Sequence, residues 1–366
     1  MGHDELDYSP ARASADVDAR SRAATLSADP KLRRLLRCVV LAAGVILAAT
    51  LMQSRISVAD VDAYSYVLGA YSIQAGHGYK DLGGYPLNHW PPGYSILLSF
   101  FRNPLSGALF INYASLGIAT GCLYPLMEDA GWSPLAACAA TLVMGLGFFR
   151  SIAIFAKPDI LDYAIFLIGL RWVTADSRRW RTLGACLWSV LIPIKLVAAV
   201  FAPAAVVADF LARRERRPLR LEQYGLIMAV WGIGIGTVFA FNRLTIGAFA
   251  PPFEAASIRT LVGEAGRFGF SFFRDLLANW YGTIKPVERL LPFLIVLAIA
   301  IACLSMLRPR QRGARYAYLG GAILGLSWLL ELRQDFYADA RLMGYGLIVL
   351  LLALRPRDRS EKLWMA

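Results

Sequence analysis

Two acids stand two positions apart, Asp60 and Asp62, ahead of a helix-like run: "SVADVDAYSYVLGAYSIQAGHGY". A carboxylate at such a place can cap a helix, or it can take a proton from a hydroxyl. At about 100° per residue the two are about 200° apart, so both cannot face one centre if both are helical. The economical assignment makes Asp60 the N-cap and leaves Asp62 for other work, on a face shared with Tyr66, Ala70 and Ile73. The alternative is that both acids only cap and solvate the helix. Next comes "HGYKDLGGYPLNHWPPGYSILLSFF", which holds two of the three histidines. Within it, His89 and Trp90 suit carbohydrate, by a neutral imidazole and an aromatic face; an exposed histidine beside an interfacial aromatic is the plainer reading. Further charges sit at the edges of apolar runs: Lys157 and Asp159 in "AKPDILDYAIFL", Lys195 in "LIPIKLVAAVF", Arg341 in "ADARLMGYGLIVLLLA". Asp159 can orient a substrate, act as a second acid or cap the run that follows. Asp162, Tyr163, Arg333 and Tyr345 are weaker candidates.

The elements that must position these residues follow from composition. The chain has 366 residues, 57% hydrophobic and 17% charged, where a soluble protein carries about a quarter charged. Its mean hydropathy is +0.49, and apolar runs recur at lengths approaching the roughly 20 residues that cross a bilayer. These features predict an all-α polytopic membrane protein. The net charge of +12 lies in short arginine clusters between apolar runs, the distribution of positive-inside loops rather than of a nucleic-acid-binding patch. The cysteines (Cys38, Cys122, Cys138, Cys186, Cys303) are scattered singly. Neither they nor the histidines have metal-site spacing, so no protein-bound metal and no disulfide framework is indicated.

Residues 1–37 read as a disordered cytoplasmic tail and "CVVLAAGVILAATLM", Cys38–Met52, as the first span, with the basic run "KLRRLLR" fixing its start inside. Residues 53–106 then form an outer loop. Further spans are expected near Ala108–Met127, Pro134–Phe149 and Asp159–Val173. The stretch Thr182–Leu211 lies between "SRRWR" and "ARRERRPLR". One helix of about 30 residues, near 45 Å long, would put the two basic clusters on opposite sides. Two short helices turning at "LIPIKLVAAVF" keep them on one side, and Pro193 favours a break there. Lys195 would then stand at the outer turn. Later spans are expected near Tyr224–Phe241, Leu291–Leu307, Tyr318–Leu330 and Leu342–Leu354, with an outer segment between residues 242 and 290 whose "FSFFRDLLANWY" is amphipathic. That gives about ten spans in a domain of residues 38–355, with a basic cytoplasmic tail at 356–366 and both termini inside.

The run from Asp62 to Leu98 resembles the first outer loop of the C-type (GT-C) membrane glycosyltransferases, more narrowly the bacterial relatives of protein O-mannosyltransferases and aminoarabinose transferases. The pattern D-x-x-x-Y-x-x-x-A-x-x-I-x-x-G-x-G-Y is met by Asp62, Tyr66, Ala70, Ile73, Gly76, Gly78 and Tyr79. Pro91, Pro92, Gly93 and Tyr94 look like its P-P-x-Y start to a second outer helix. "AKPDILDYAIFL" is similar to the family's second outer loop, "LIPIKLVA" to its L-x-K-x-x-A hairpin, and "ADARLMGYGLIVLLLA" to its closing segment. No counterpart of the soluble C-terminal domain of the aminoarabinose and oligosaccharyl branches is expected, a departure from those branches of the family.

The resemblance implies an inverting transfer, in one displacement, of a monosaccharide from a polyprenyl-phosphate donor to a hydroxyl or amine of a glycan, lipid or protein. The site would lie on the outer face of a bacterial inner membrane, with no cofactor besides the donor substrate. Asp62 would be the base, with Asp60 and Asp159 as supporting acids. Lys195, Arg341 and Lys157 would meet the anionic lipid phosphate, and His89, Trp90, Tyr66 and Tyr94 would be candidate substrate contacts. Snorkelling to the interface is the ordinary alternative for the cations. The rival function is a transporter or flippase of lipid-linked sugars, which should carry charges inside its spans and pseudo-symmetric halves.

Overall fold

The computed structural model describes residues 30–52, 56–58, 61–87, 90–212, 217–246, 314–331 and 340–353, and gives the backbone alone for some of them, Arg341 included. Asp60, His89, Arg333, the segment 247–290 and the expected span Leu291–Leu307 lie outside the described residues.

The chain is built from helices: α1 (Pro30–Met52), α2 (Val61–Gln74), α3 (Gly93–Ser99), α4 (Pro104–Asp129), α5 (Pro134–Ala153), α6 (Asp159–Val173), α7 (Arg178–Val190), α8 (Phe201–Leu211), α9 (Leu221–Ile246), α10 (Ala314–Glu331) and α11 (Ala340–Ala353). Among the described residues there are no strands, only the isolated bridges Ser57↔Phe155 and Lys80↔Pro86. Helices α4, α5 and α9 are long and apolar enough to cross a membrane, as expected of a membrane protein.

Local signals start these helices. Asn103 accepts from the backbone of Leu105 and Ser106 at the head of α4, and Ser133 from Ala136 at the head of α5, each with proline as the first helical residue. α5 carries a π-turn at Gly145–Phe149 before its last turn. One boundary differs from the sequence expectation. α1 begins at Pro30, so residues 30–37 belong to a helix and not to the tail. The cause is apolar spacing that runs through the basic cluster: Leu32, Leu36 and Val40 recur every four residues and pack into the core. Arg37 closes the same turn on Glu128 of α4 at 2.9 Å.

Among the described helices, α1 packs on α4, α4 on α6, α6 on α7, α7 on α9, α8 on α10 and α10 on α11. The bundle core centres on Phe166, Trp188, Phe201 and Tyr345, all fully buried. A second, smaller core lies under the loops at one end, built from Ala63, Tyr66, Ala70, Tyr94, Leu98 and Ala156.

The chain reverses between α7 and α8, as the basic clusters predict. Ile194 and Lys195 donate backbone hydrogens to Leu191 (2.8 and 2.9 Å), and Pro193 sits in the turn. Arg181 at the start of α7 pairs with Asp209 at the end of α8, both side chains 2% exposed. The hairpin's two ends therefore meet. Asp209 also accepts from the Leu219 backbone at 2.9 Å and the Tyr224 hydroxyl at 2.8 Å, which ties in the start of α9. The bundle thus has two unlike ends. One gathers Arg37, Arg171, Arg181 and Arg217; the opposite end gathers the candidate residues.

Candidate active site

α2 supplies Asp62 from its first turn. Tyr66 and Ala70, one and two turns on, are buried, and Asp62 continues that face to the edge, its side chain 34% exposed. Past α2, Gly76 and Gly78 both hold φ of 77°, the left-handed region that a side chain resists. The chain turns back there and is closed by the Lys80↔Pro86 bridge. It returns over the start of α2, where the Trp90 indole donates to Asp62 Oδ1 at 3.0 Å.

Pro91 and Pro92 then lead into α3, with Pro92 at the N-cap position. Gly93 donates its backbone hydrogen to Pro193 in the α7–α8 turn, at 2.8 Å. A Cβ on Gly93 would lie 2.5 Å from that carbonyl oxygen, so two backbones meet here because the side chain is missing. Lys195 is two residues beyond the contact. Tyr94 is fully buried; its ring meets Tyr66 edge-on at 5.5 Å, and its hydroxyl donates to Asn112 Oδ1 at 3.0 Å. Burial, and after it the charge of Asp159, pushes the Tyr94 hydroxyl above the usual tyrosine range, so it stays a donor.

Asn112, fully buried on α4, turns its amide to the chain that follows α5, donating to the carbonyls of Ala153 (3.1 Å) and Phe155 (2.5 Å). Ser57 holds the same chain from the other side, donating to Ile154 at 2.7 Å and accepting from Ala156 at 3.0 Å. This braced segment delivers Lys157 and Asp159. Lys157 Nζ lies 3.9 Å from Asp62 Oδ2, its side chain 6% exposed. Asp159 opens α6, where Pro158 holds the N-cap position, and its carboxylate accepts from Lys195.

Beneath this pair, Asp162 Oδ2 accepts from the Tyr345 hydroxyl. The Tyr345 ring stacks on Tyr163 at 4.1 Å, and Lys195 Nζ stands 6.0 Å from its centroid. Both α6 and α11 begin at this end, so Arg341, one turn ahead of Tyr345, is about level with Asp159 by register.

Of the residues singled out in the sequence, Asp62, Trp90, Tyr66, Tyr94, Lys157, Asp159 and Lys195 come to one end of the bundle, and Arg341 joins them by its place on α11. Tyr66 and Tyr94 are packing residues beneath the site, 4% and 0% exposed, rather than surfaces open to a substrate. Three contributors escaped notice or emphasis. Asn112 was not singled out, although an asparagine inside the apolar run of α4 is a signal in itself. Asp162 and Tyr345 ranked low, yet they floor the site. Among the described residues no three of His, Cys, Asp and Glu gather as metal ligands would.

The arrangement is therefore two acid–lysine pairs of unlike tightness. Lys195 and Asp159 are in contact and 14% and 4% exposed. Lys157 and Asp62 stand apart, with the acid toward solvent. Such a site can meet an anion with lysines and a hydroxyl with a carboxylate. It belongs to a helical membrane protein with a charged, partly buried site at one end of its bundle. No family model, no curated protein and no solved structure matches the chain.

Proposed function

We propose that the chain is a GT-C-type glycosyltransferase of about ten spans, taking a monosaccharide from a polyprenyl-phosphate donor at the outer face of a bacterial inner membrane. One observation carries the reading: Asp62, Lys157, Asp159 and Lys195 converge at one end of the apolar bundle from segments far apart in the chain. The arginine-rich opposite end faces the cytoplasm on this reading, with both termini.

Asp62 takes the proton of the acceptor hydroxyl or amine. The acceptor's lone pair forms the new bond to the anomeric carbon from the face opposite the phosphate. The sugar–phosphate C–O bond breaks, and its electron pair leaves on the polyprenyl phosphate. Lys195, with Lys157 and Arg341, stabilises that anion. Asp159 holds Lys195 in place until the phosphate competes for it. The Trp90 indole fixes the Asp62 carboxylate by a hydrogen bond and offers a ring face to sugar. Lys157 stands 3.9 Å from Asp62, beyond hydrogen-bond contact.

The second reading is a carrier of lipid-linked sugar, favoured by the buried Asp162 in the first turn of α6. Purified protein in liposomes given a panel of polyprenyl-phosphate sugars and short glycan or peptide acceptors separates the two. Release of polyprenyl phosphate matched by glycosylated acceptor supports the transferase. Movement of intact donor between leaflets without release would support the carrier.

A further inference from the structure

Asp162 has no part in the transfer just described, yet it is a fully buried carboxyl group. Its Oδ2 accepts from Tyr345; among the described residues its Oδ1 has no hydrogen-bond partner. A buried acceptor left unused costs free energy unless something visits it. Lys195 is the group placed to do so. Asp162 follows Asp159 by three residues on one face of α6, where side chains three apart are neighbours. Lys195 bonds Asp159 and stands 6.0 Å from the ring of Tyr345, the residue whose hydroxyl serves Asp162. A lysine ammonium on a four-carbon stem rotates readily between two such acceptors.

We propose that Asp162 is a positioning residue, the second anchor of Lys195. The ammonium moves between Asp159 at the mouth of the site and Asp162 Oδ1 beneath it. When it is on Asp162, the Asp159 carboxylate is open to a substrate donor group while the cation stays under the site. Tyr345 holds Asp162 by its other oxygen, so Oδ1 remains turned to the lysine. What Lys195 meets in turnover rests on the transferase reading; the two anchors do not, and they are read without turnover.

The test uses the full chain in detergent, acetylated with acetic anhydride at one fixed pH. The acetylation rate at Lys195 is read by mass spectrometry against the exposed Lys80 of the same molecule. In Asp159→Asn the cation retires to Asp162, so the rate rises less than about threefold. Adding Asp162→Asn removes the second charge-assisted bond and raises the rate by a further factor of about ten. Lys157 is the control for general loosening, and its rate stays level with wild type. A double variant that reacts no faster than Asp159→Asn overturns the proposal, as does equal acceleration at Lys157. If the double variant does not fold, Asp159→Asn/Tyr345→Phe decides. Losing the hydroxyl turns both Asp162 oxygens to Lys195 and slows its acetylation about threefold; an unchanged or faster rate overturns the second anchor. A protein that shows both anchors but transfers no sugar would sink the transferase reading alone.

Discussion

Replacing Asn112 by alanine should be among the most damaging single changes at the site end. Asn112 is fully buried and makes three hydrogen bonds: one from Tyr94 and two to the carbonyls of Ala153 and Phe155. Alanine strands the Tyr94 hydroxyl and at least one carbonyl away from water. At about 1–3 kcal/mol for each buried group left unpaired, the expected loss is about 3–5 kcal/mol. Tyr94→Phe removes only the hydroxyl and leaves Asn112 its two donated bonds, so about 1–2 kcal/mol should be lost. The double variant should cost less than the sum by about 1–2 kcal/mol, because the hydroxyl stranded by alanine is then absent. Unfolding of the purified variants by added SDS in mixed micelles gives all three values. Strict additivity would refute the Tyr94–Asn112 bond, and a small loss for Asn112→Ala would refute the account of how the Lys157 segment is braced.

Two further predictions concern the scaffold. Gly93→Ala puts a methyl 2.5 Å from the Pro193 oxygen, so it should shift the turn and change the acetylation rate of Lys195, whereas Gly76→Ala, strained by its φ of 77° but far along the loop, should lower stability by about 1–2 kcal/mol and leave that rate alone; equal effects on Lys195 would break the link from α3 to the hairpin. Arg181→Met leaves Asp209 buried without its cation and should cost about 3–5 kcal/mol in the same SDS assay, while Arg181→Met/Asp209→Leu should recover part of that loss; no recovery would mean that the pair is not the clasp between the ends of α7 and α8.

The sequence carried the helices where charge and hydropathy change together. α6 lies at Asp159–Val173, where an acid and an arginine-rich loop bracket one apolar run. The reversal at Pro193 followed from two basic clusters that a single crossing would put on opposite sides. Basic residues hid the start of α1, because the apolar spacing of Leu32 and Leu36 continues beneath them. The site was legible as a set of residue types at loop edges, but its pairings were not. Lys195 meets Asp159 across 36 residues, and Tyr345 meets Asp162 across 183. Contacts at such separations depend on how helices pack, which no local pattern records. Asp159 illustrates the limit: its position suited a cap, and only the hairpin's return brings a lysine to its carboxylate.

On the transferase reading, Asp62 is the base of a transfer from a polyprenyl-phosphate sugar. Asp62→Asn keeps the size of the side chain and an acceptor for the Trp90 indole, but it cannot take the proton. Its initial rate of acceptor glycosylation, measured in liposomes at saturating donor beside wild type, should fall by about 10²–10⁴ with donor binding little changed. A rate within a few-fold of wild type, from protein that still binds donor, would contradict the claim.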